Sequence, residues 1–365
     1  MAMKMRMWFR VAALVCYMQT TFVGAQSRID ASLLFGGMQP HSSYTEALRA
    51  PVYGLQVDAD WELPNELRVP NPLEERKYLM RYLGTTLLVM NMGLPVTGYQ
   101  IGAGVSMGAG LPLNKNLMIR CRLTHGLSYL TQKYDSTTVP INYAIGSHLN
   151  YLAMLSADVR FTVNRFGILA GVNLTHCSNG NYSKPNVGLN ALNVNVGVTY
   201  RPYKTSNRKQ YYEAKKRYFA FPLAAGLKLA TNQKSLEYPR RSYIWIADVS
   251  YRNQKSKFSF WDVGLDGFLD PNYQWNDAGA LTRAGESENY ELAVRGGKVF
   301  LFGRLGLRFD LGMYIVKPYH SEKPWFYNAF GLDYRLGHHW VARSRLKAHL
   351  NKADYMEFGL SYLWN

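Results

Sequence analysis

His176 and Ser178 stand two residues apart in a stretch whose even positions, Ile168, Ala170, Val172 and Leu174, are all apolar. Side chains alternate between the two faces of an extended strand, so the imidazole and the hydroxyl point the same way, onto an oily surface. A histidine within reach of a serine oxygen activates it. The ring takes the proton, the oxygen attacks an ester carbonyl, and a third polar group holds the ring in the useful tautomer. Asn190 qualifies for the third place, because the loop Asn179 to Leu189 returns the chain beside His176. Cys177 lies on the opposite face and is a poor nucleophile candidate for that reason. A His-x-Ser pair at a strand end also occurs as a rim feature bonded to its own loop, which keeps a purely structural reading open.

The elements that must position these residues alternate in the same manner. From 190 to 200 the even positions are Asn190, Leu192, Val194, Val196, Val198 and Tyr200, and the odd positions include Asn193, Asn195 and Thr199. Sixteen such segments run from 28–35 to 355–364, among them 144–161, 167–176 and 190–201, with no helical periodicity between them. Twenty-seven tyrosines, 31 glycines and 8 tryptophans fit many strands with aromatic ends. A soluble secreted sandwich would bury the valines and expose the asparagines; a small transmembrane barrel reverses that. Strand number and aromatic content favour the barrel, which also leaves no unpaired edge in hydrocarbon. The expected fold is all-β: one closed antiparallel transmembrane β-barrel of about 14 strands, within a range of 12 to 16. Turns at 112–116, 162–166 and 337–339 are short, whereas 38–51, 131–143 and 271–288 are long and polar. Two further long connections, 63–77 and 204–217, fall on the short-turn rim, against the usual barrel habit.

The N-terminus assigns a route. Lys4, Arg6 and Arg10 precede the mostly apolar run Val11 to Val23, and Val23-Gly24-Ala25 is a small-residue cleavage site. Residues 1–25 are therefore expected to be a signal peptide and 26–365 a single outer-membrane barrel domain. The run is too short for a spanning helix, which needs about 20 apolar residues. The formal charge of +17 falls to +14 without the three leader cations, an excess suited to anionic lipopolysaccharide phosphates. Scattered basic residues and a secretory route argue against nucleic acid. Cys121 and Cys177, the two cysteines that remain, form no disulfide scaffold. No close Cys/His cluster has metal-ligand spacing, and no glycine loop suits phosphate; Gly102, Gly104, Gly108 and Gly110 read as relief of crowding inside a barrel.

The stretch Leu174-Thr-His-Cys-Ser-Asn-Gly-Asn-Tyr-Ser-Lys-Pro-Asn-Val-Gly-Leu-Asn190 resembles the signature of the outer-membrane lipid A 3-O-deacylase (PagL-like) family, also called acyloxyacyl hydrolases. It is most similar to the long form found in Bacteroidetes. Segments 127–135 and 142–150 resemble that form as well, and the similarity spans about residues 78 to 201. The resemblance implies a lipid A deacylase in the outer membrane of a Gram-negative bacterium. Such an enzyme is a serine esterase that removes an ester-linked 3-hydroxyacyl chain from lipopolysaccharide without metal or cofactor. It implies catalysis by His176 and Ser178 on the lipid-facing wall, with lipid A and outer-membrane lipid as partners and a monomer as the working form. The short members carry glutamate where this chain has Asn190. An amide can orient an imidazole but cannot offset the charge of an imidazolium. Three readings stay open: a slower or retuned esterase, an acid recruited from elsewhere, or a non-catalytic barrel with a structural, transport or adhesion role. His148, heading the preceding strand, is either a further donor to the site or a rim histidine bonded to a carbonyl. Asn179 is an oxyanion candidate or turn material. The second half of the chain is expected to widen the barrel.

Overall fold

The computed structural model describes residues 27–63, 80–202, 223–237, 240–256, 259–274, 289–318, 321, 323–350 and 352–364. The expected leader and almost all of the connections 63–77 and 204–217 lie outside them. All sixteen strands anticipated above are present, but they close into two barrels instead of one barrel of about 14 strands. The first comprises β1 (Ser27–Met38), β2 (Pro51–Leu63), β3 (Met80–Asn91), β4 (Tyr99–Pro112), β5 (Leu117–Leu130), β6 (Leu149–Val163), β7 (Phe166–Ser178) and β8 (Leu189–Tyr200). It shuts where β1 pairs antiparallel with β8, Leu33 opposite Val196 and Phe35 opposite Val194. The second comprises β9 (Leu223–Gln233), β10 (Arg241–Ser256), β11 (Ser259–Leu269), β12 (Tyr290–Phe302), β13 (Leu305–Val316), β14 (Phe326–Arg335), β15 (Trp340–His349) and β16 (Lys352–Trp364). It shuts between β9 and β16, with Leu227 opposite Leu360. The second half of the chain therefore builds its own wall and does not widen the first.

The orientation of the first wall follows from which side chains fill it. Asn173, Asn193 and Asn195 are buried, and the Asn193 amide donates to Asn173 Oδ1 at 3.1 Å. Ile168, Val172, Val194, Val196 and Val198 are exposed on the outside. A barrel of eight strands has an interior just wide enough for its own side chains. Here ion pairs fill it: Arg120 to Asp158 at 2.7 Å and Arg122 to Asp58 at 2.7 Å, with Arg160 bound to Asp30 and Asp158. The second lumen is built alike, with Arg345 held between Asp266 and Glu357 and Arg308 on Asp333, each at 2.8 Å. Asp248, Asp262, Asp266 and Asp310 all face that interior, buried.

An apolar outer face over a charged interior is the distribution that hydrocarbon favours and water does not. Arginine at Val196, which is 54% exposed near the middle of β8, should cost about 2–4 kcal/mol in a bilayer. Urea titration of protein refolded into phospholipid vesicles measures it, and a cost near zero would mean that this wall does not meet lipid.

Two details depart from the strand pattern. Segment 144–148, expected as the start of a strand, is loop: Ala144 and Ile145 are buried and lend their carbonyls to Gly188 N-H (2.9 Å) and Tyr134 N-H (2.7 Å). Tyr355, expected as an interfacial aromatic together with Tyr143, Tyr151, Trp245, Trp325, Tyr362 and Trp364, is wholly buried and accepts from Lys347 Nζ at 2.8 Å. A register shift at Lys347 and Ala348 puts two consecutive β16 residues, Asp354 and Tyr355, inside the wall.

Candidate active site

The chain divides into two compact units. One contains residues 1–133, 148–177 and 189–212; the other contains 134–147, 178–188 and 213–365. In the first, β7 and β8 pair with His176 directly opposite Asn190. Their side chains meet: His176 Nδ1 donates to Asn190 Oδ1 at 2.7 Å. An amide oxygen only accepts, so the ring proton sits on Nδ1, and Nε2 keeps the lone pair a general base needs. His176 is half-buried, at the polar end of a wall whose next outward residue below is the exposed Leu174.

The same amide has a second partner that spacing did not reveal. After β1 the chain crosses the start of β8, where Gln39 N-H donates to Asn190 O at 2.8 Å. It then enters a short 3-10 turn, Ser43–Leu48, capped by the Ser42 hydroxyl, which accepts from Tyr44 N-H at 3.1 Å. His41 lies between those two fixed points. Asn190 Nδ2 donates to its Nδ1 at 2.9 Å. His41, Asn190 and His176 therefore form one hydrogen-bonded row.

Ser178 ends β7 on the same alternating face as His176 and is 3% exposed, unlike the open residues further down the strand. Cys177 between them faces inward, 3.0 Å from Ser128 Oγ. His148 donates its Nδ1 proton to Leu130 O at 2.8 Å and stacks on Tyr129. Its Nε2 is then an acceptor in the neutral ring, so serving as an oxyanion donor would require the imidazolium.

The loop after Ser178 belongs to the second unit and is fastened throughout. Asn179 donates through its backbone N-H to Asn186 Oδ1 at 2.8 Å and through Nδ2 to Ser183 O at 2.7 Å. Both donors thereby shape the loop. Gly180 adopts φ of 61°, and a Cβ there would lie 2.6 Å from Met356 Cγ, so backbone freedom and close approach both require glycine. Asn181 Nδ2 donates to Ala353 O at 2.9 Å, Lys184 N-H to Gln233 Oε1 at 3.0 Å, and Gln233 N-H to Asn181 O at 2.9 Å. Arg241 donates to Tyr182 Oη at 2.9 Å with its guanidinium over the ring. Asn181 and Lys184 also line a polar cavity of about 310 Å³ with Lys234, Lys323, Asp270 and Asp354. There Lys323 is matched by Asp354 at 3.2 Å and Asp270 at 3.3 Å, so the cavity carries both signs of charge.

Two family models match this chain: "Lipid A 3-O-deacylase (PagL)" over residues 113–199, which include His176, Ser178 and Asn190, and "Acyloxyacyl hydrolase, C-terminal domain" over residues 218–365. Among solved structures, the outer membrane enzyme PagL is 17% identical, covering 46% of this chain and 97% of its own, with a TM-score of 0.30. The translocator domain of the autotransporter NalP from Neisseria meningitidis is 10% identical over 100% of this chain and 97% of its own, with a TM-score of 0.21. A mutant of the Rh. blastica porin is 8% identical over 93% and 100%, with a TM-score of 0.18. Likeness this loose aligns no residue. None of the curated proteins matches the chain.

Proposed function

We propose, from this chain's distant homology to the lipid A 3-O-deacylase and acyloxyacyl hydrolase family, that it is an outer-membrane serine esterase. In this reading it removes an ester-linked 3-hydroxyacyl chain from lipid A. The carrying observation is the hydrogen bond from His176 Nδ1 to Asn190 Oδ1 at the end of an oily outer strand that also bears Ser178. That bond keeps the ring proton on Nδ1, so Nε2 carries the lone pair that takes a proton from a hydroxyl on the same face.

The chemistry runs in two halves. His176 Nε2 takes the Ser178 Oγ proton as the oxygen bonds to the ester carbonyl carbon. The tetrahedral intermediate collapses, the bond to the sugar oxygen breaks, and that oxygen leaves with the proton held by His176. Water, deprotonated by the same nitrogen, then attacks the acyl-serine; the acyl–Oγ bond breaks, Ser178 Oγ takes the proton back from His176, and a free 3-hydroxy fatty acid leaves. Asn190 keeps the ring in the right tautomer but supplies no negative charge, so the imidazolium formed in each half is less stabilised than beside a carboxylate. The protein acts as a monomer after loss of residues 1–25, on the acyl chains that its valine-rich wall meets in the bilayer.

Mass spectrometry of lipid A from a Gram-negative host tests this. Cells making the native chain should lose one 3-hydroxyacyl group from lipid A, and cells making Ser178→Ala should not. Identical acyl patterns from both, with the native chain folded in the outer membrane, would leave a barrel without this catalysis.

A further inference from the structure

We propose that His41 is a positioning residue for this reaction: by accepting a hydrogen bond from the Asn190 amide, it decides which end of that amide faces His176, and hence which tautomer the base adopts. The inference rests on the esterase reading above. Its geometry is two consecutive bonds, 2.7 Å from His176 Nδ1 to Asn190 Oδ1 and 2.9 Å from Asn190 Nδ2 to His41 Nδ1.

A carboxylate in the third position presents acceptors on every side, so the histidine beside it has one choice. An amide has one accepting end and one donating end. If Asn190 turned over, its NH₂ group would face His176 Nδ1, that nitrogen would have to accept, and the ring proton would move to Nε2. His176 would then be unable to take the serine proton. Asparagine is therefore held in the productive orientation by a group on its far side that receives the NH₂ group, and His41 Nδ1 does so in the tautomer that carries its proton on Nε2. The backbone bond from Gln39 to Asn190 and the capped turn that follows hold His41 where that contact is made.

Substitutions at 41 should therefore act by donor or acceptor character. Glutamate accepts only and locks the productive orientation; lysine donates only and favours the reversed one. Activity should stay near the native level in His41→Glu, fall in His41→Ala, and fall by about 100-fold or more in His41→Lys, since a catalytic histidine in the wrong tautomer is crippled. Asn190→Asp, which has no donating end, should remove the penalty of His41→Lys in the double variant. The tautomer itself is read by ¹⁵N NMR of histidine-labelled protein in detergent micelles. The His176 ring should be protonated at Nδ1 in the native chain and in His41→Glu, and at Nε2 in His41→Lys. An unchanged His176 tautomer in His41→Lys overturns the proposal, as do equal losses in all three variants with no rescue by Asn190→Asp. If the native chain deacylates nothing, the esterase reading fails, and the tautomer measurement still decides the role of His41.

Discussion

Replacing Ser178 by alanine should lower lipid A ester hydrolysis on the order of 10³-fold or more, and replacing His176 by glutamine should cost nearly as much. The two residues serve one proton transfer and one bond formation, so losing either removes the same step, and the double variant should be scarcely worse than the singles. Glutamine keeps a polar group opposite Asn190, so β7 and β8 retain their pairing while the base is lost. The drop should nevertheless be smaller than in a carboxylate-backed triad, because Asn190 contributes orientation without charge and the native rate starts lower. Release of 3-hydroxy fatty acid by purified protein in micelles containing lipopolysaccharide measures it. Equal rates for native and substituted chains would remove Ser178 and His176 from the chemistry.

Arg120→Met should destabilise the first barrel by about 3–5 kcal/mol, the cost of breaking a buried ion cluster from one side. Arg120 is 1% exposed and holds Asp158 at 2.7 Å, Asp30 at 3.4 Å and also Asp60. Without it those three carboxylates would share Arg160 and Arg122 in a buried interior. By contrast Arg49→Met breaks a surface pair with Glu46, 2.9 Å long and more than half exposed, and should shift stability by about 1 kcal/mol or less. Urea titration by far-UV circular dichroism compares the two. Equal midpoints would show that the lumen charges contribute no more than surface ones.

Strand positions were legible in the sequence because one face of each strand is oily and the other polar, a pattern that 167–178 and 190–200 show clearly. The same pattern located the outward face of Leu174 and Val194 and the inward face of Asn173 and Asn193. It could not count barrels. Alternation reports which side of a strand is wet, not which strand lies beside it, and the closure of β1 on β8 joins residues more than 150 positions apart. For that reason His41 went unnoticed. It stands 149 positions from Asn190 with no motif around it, and becomes a neighbour only once β1 and β8 are known to be adjacent. Tyr355 was misplaced because being aromatic and near a strand end does not fix a face: it shares the inward odd positions of β16 with Glu357, Ser361 and Leu363, opposite Trp364.

Because β1 finds its partner in β8, the first wall is complete at Tyr200 and needs nothing from the chain that follows. The loop leaving Ser178 is different, since Asn181, Tyr182 and Lys184 take their bonds from residues 353, 241 and 233. Closing the cylinder bearing His176 thus calls on no residue beyond β8, whereas the segment just beyond Ser178 takes its last fastening from the final strand.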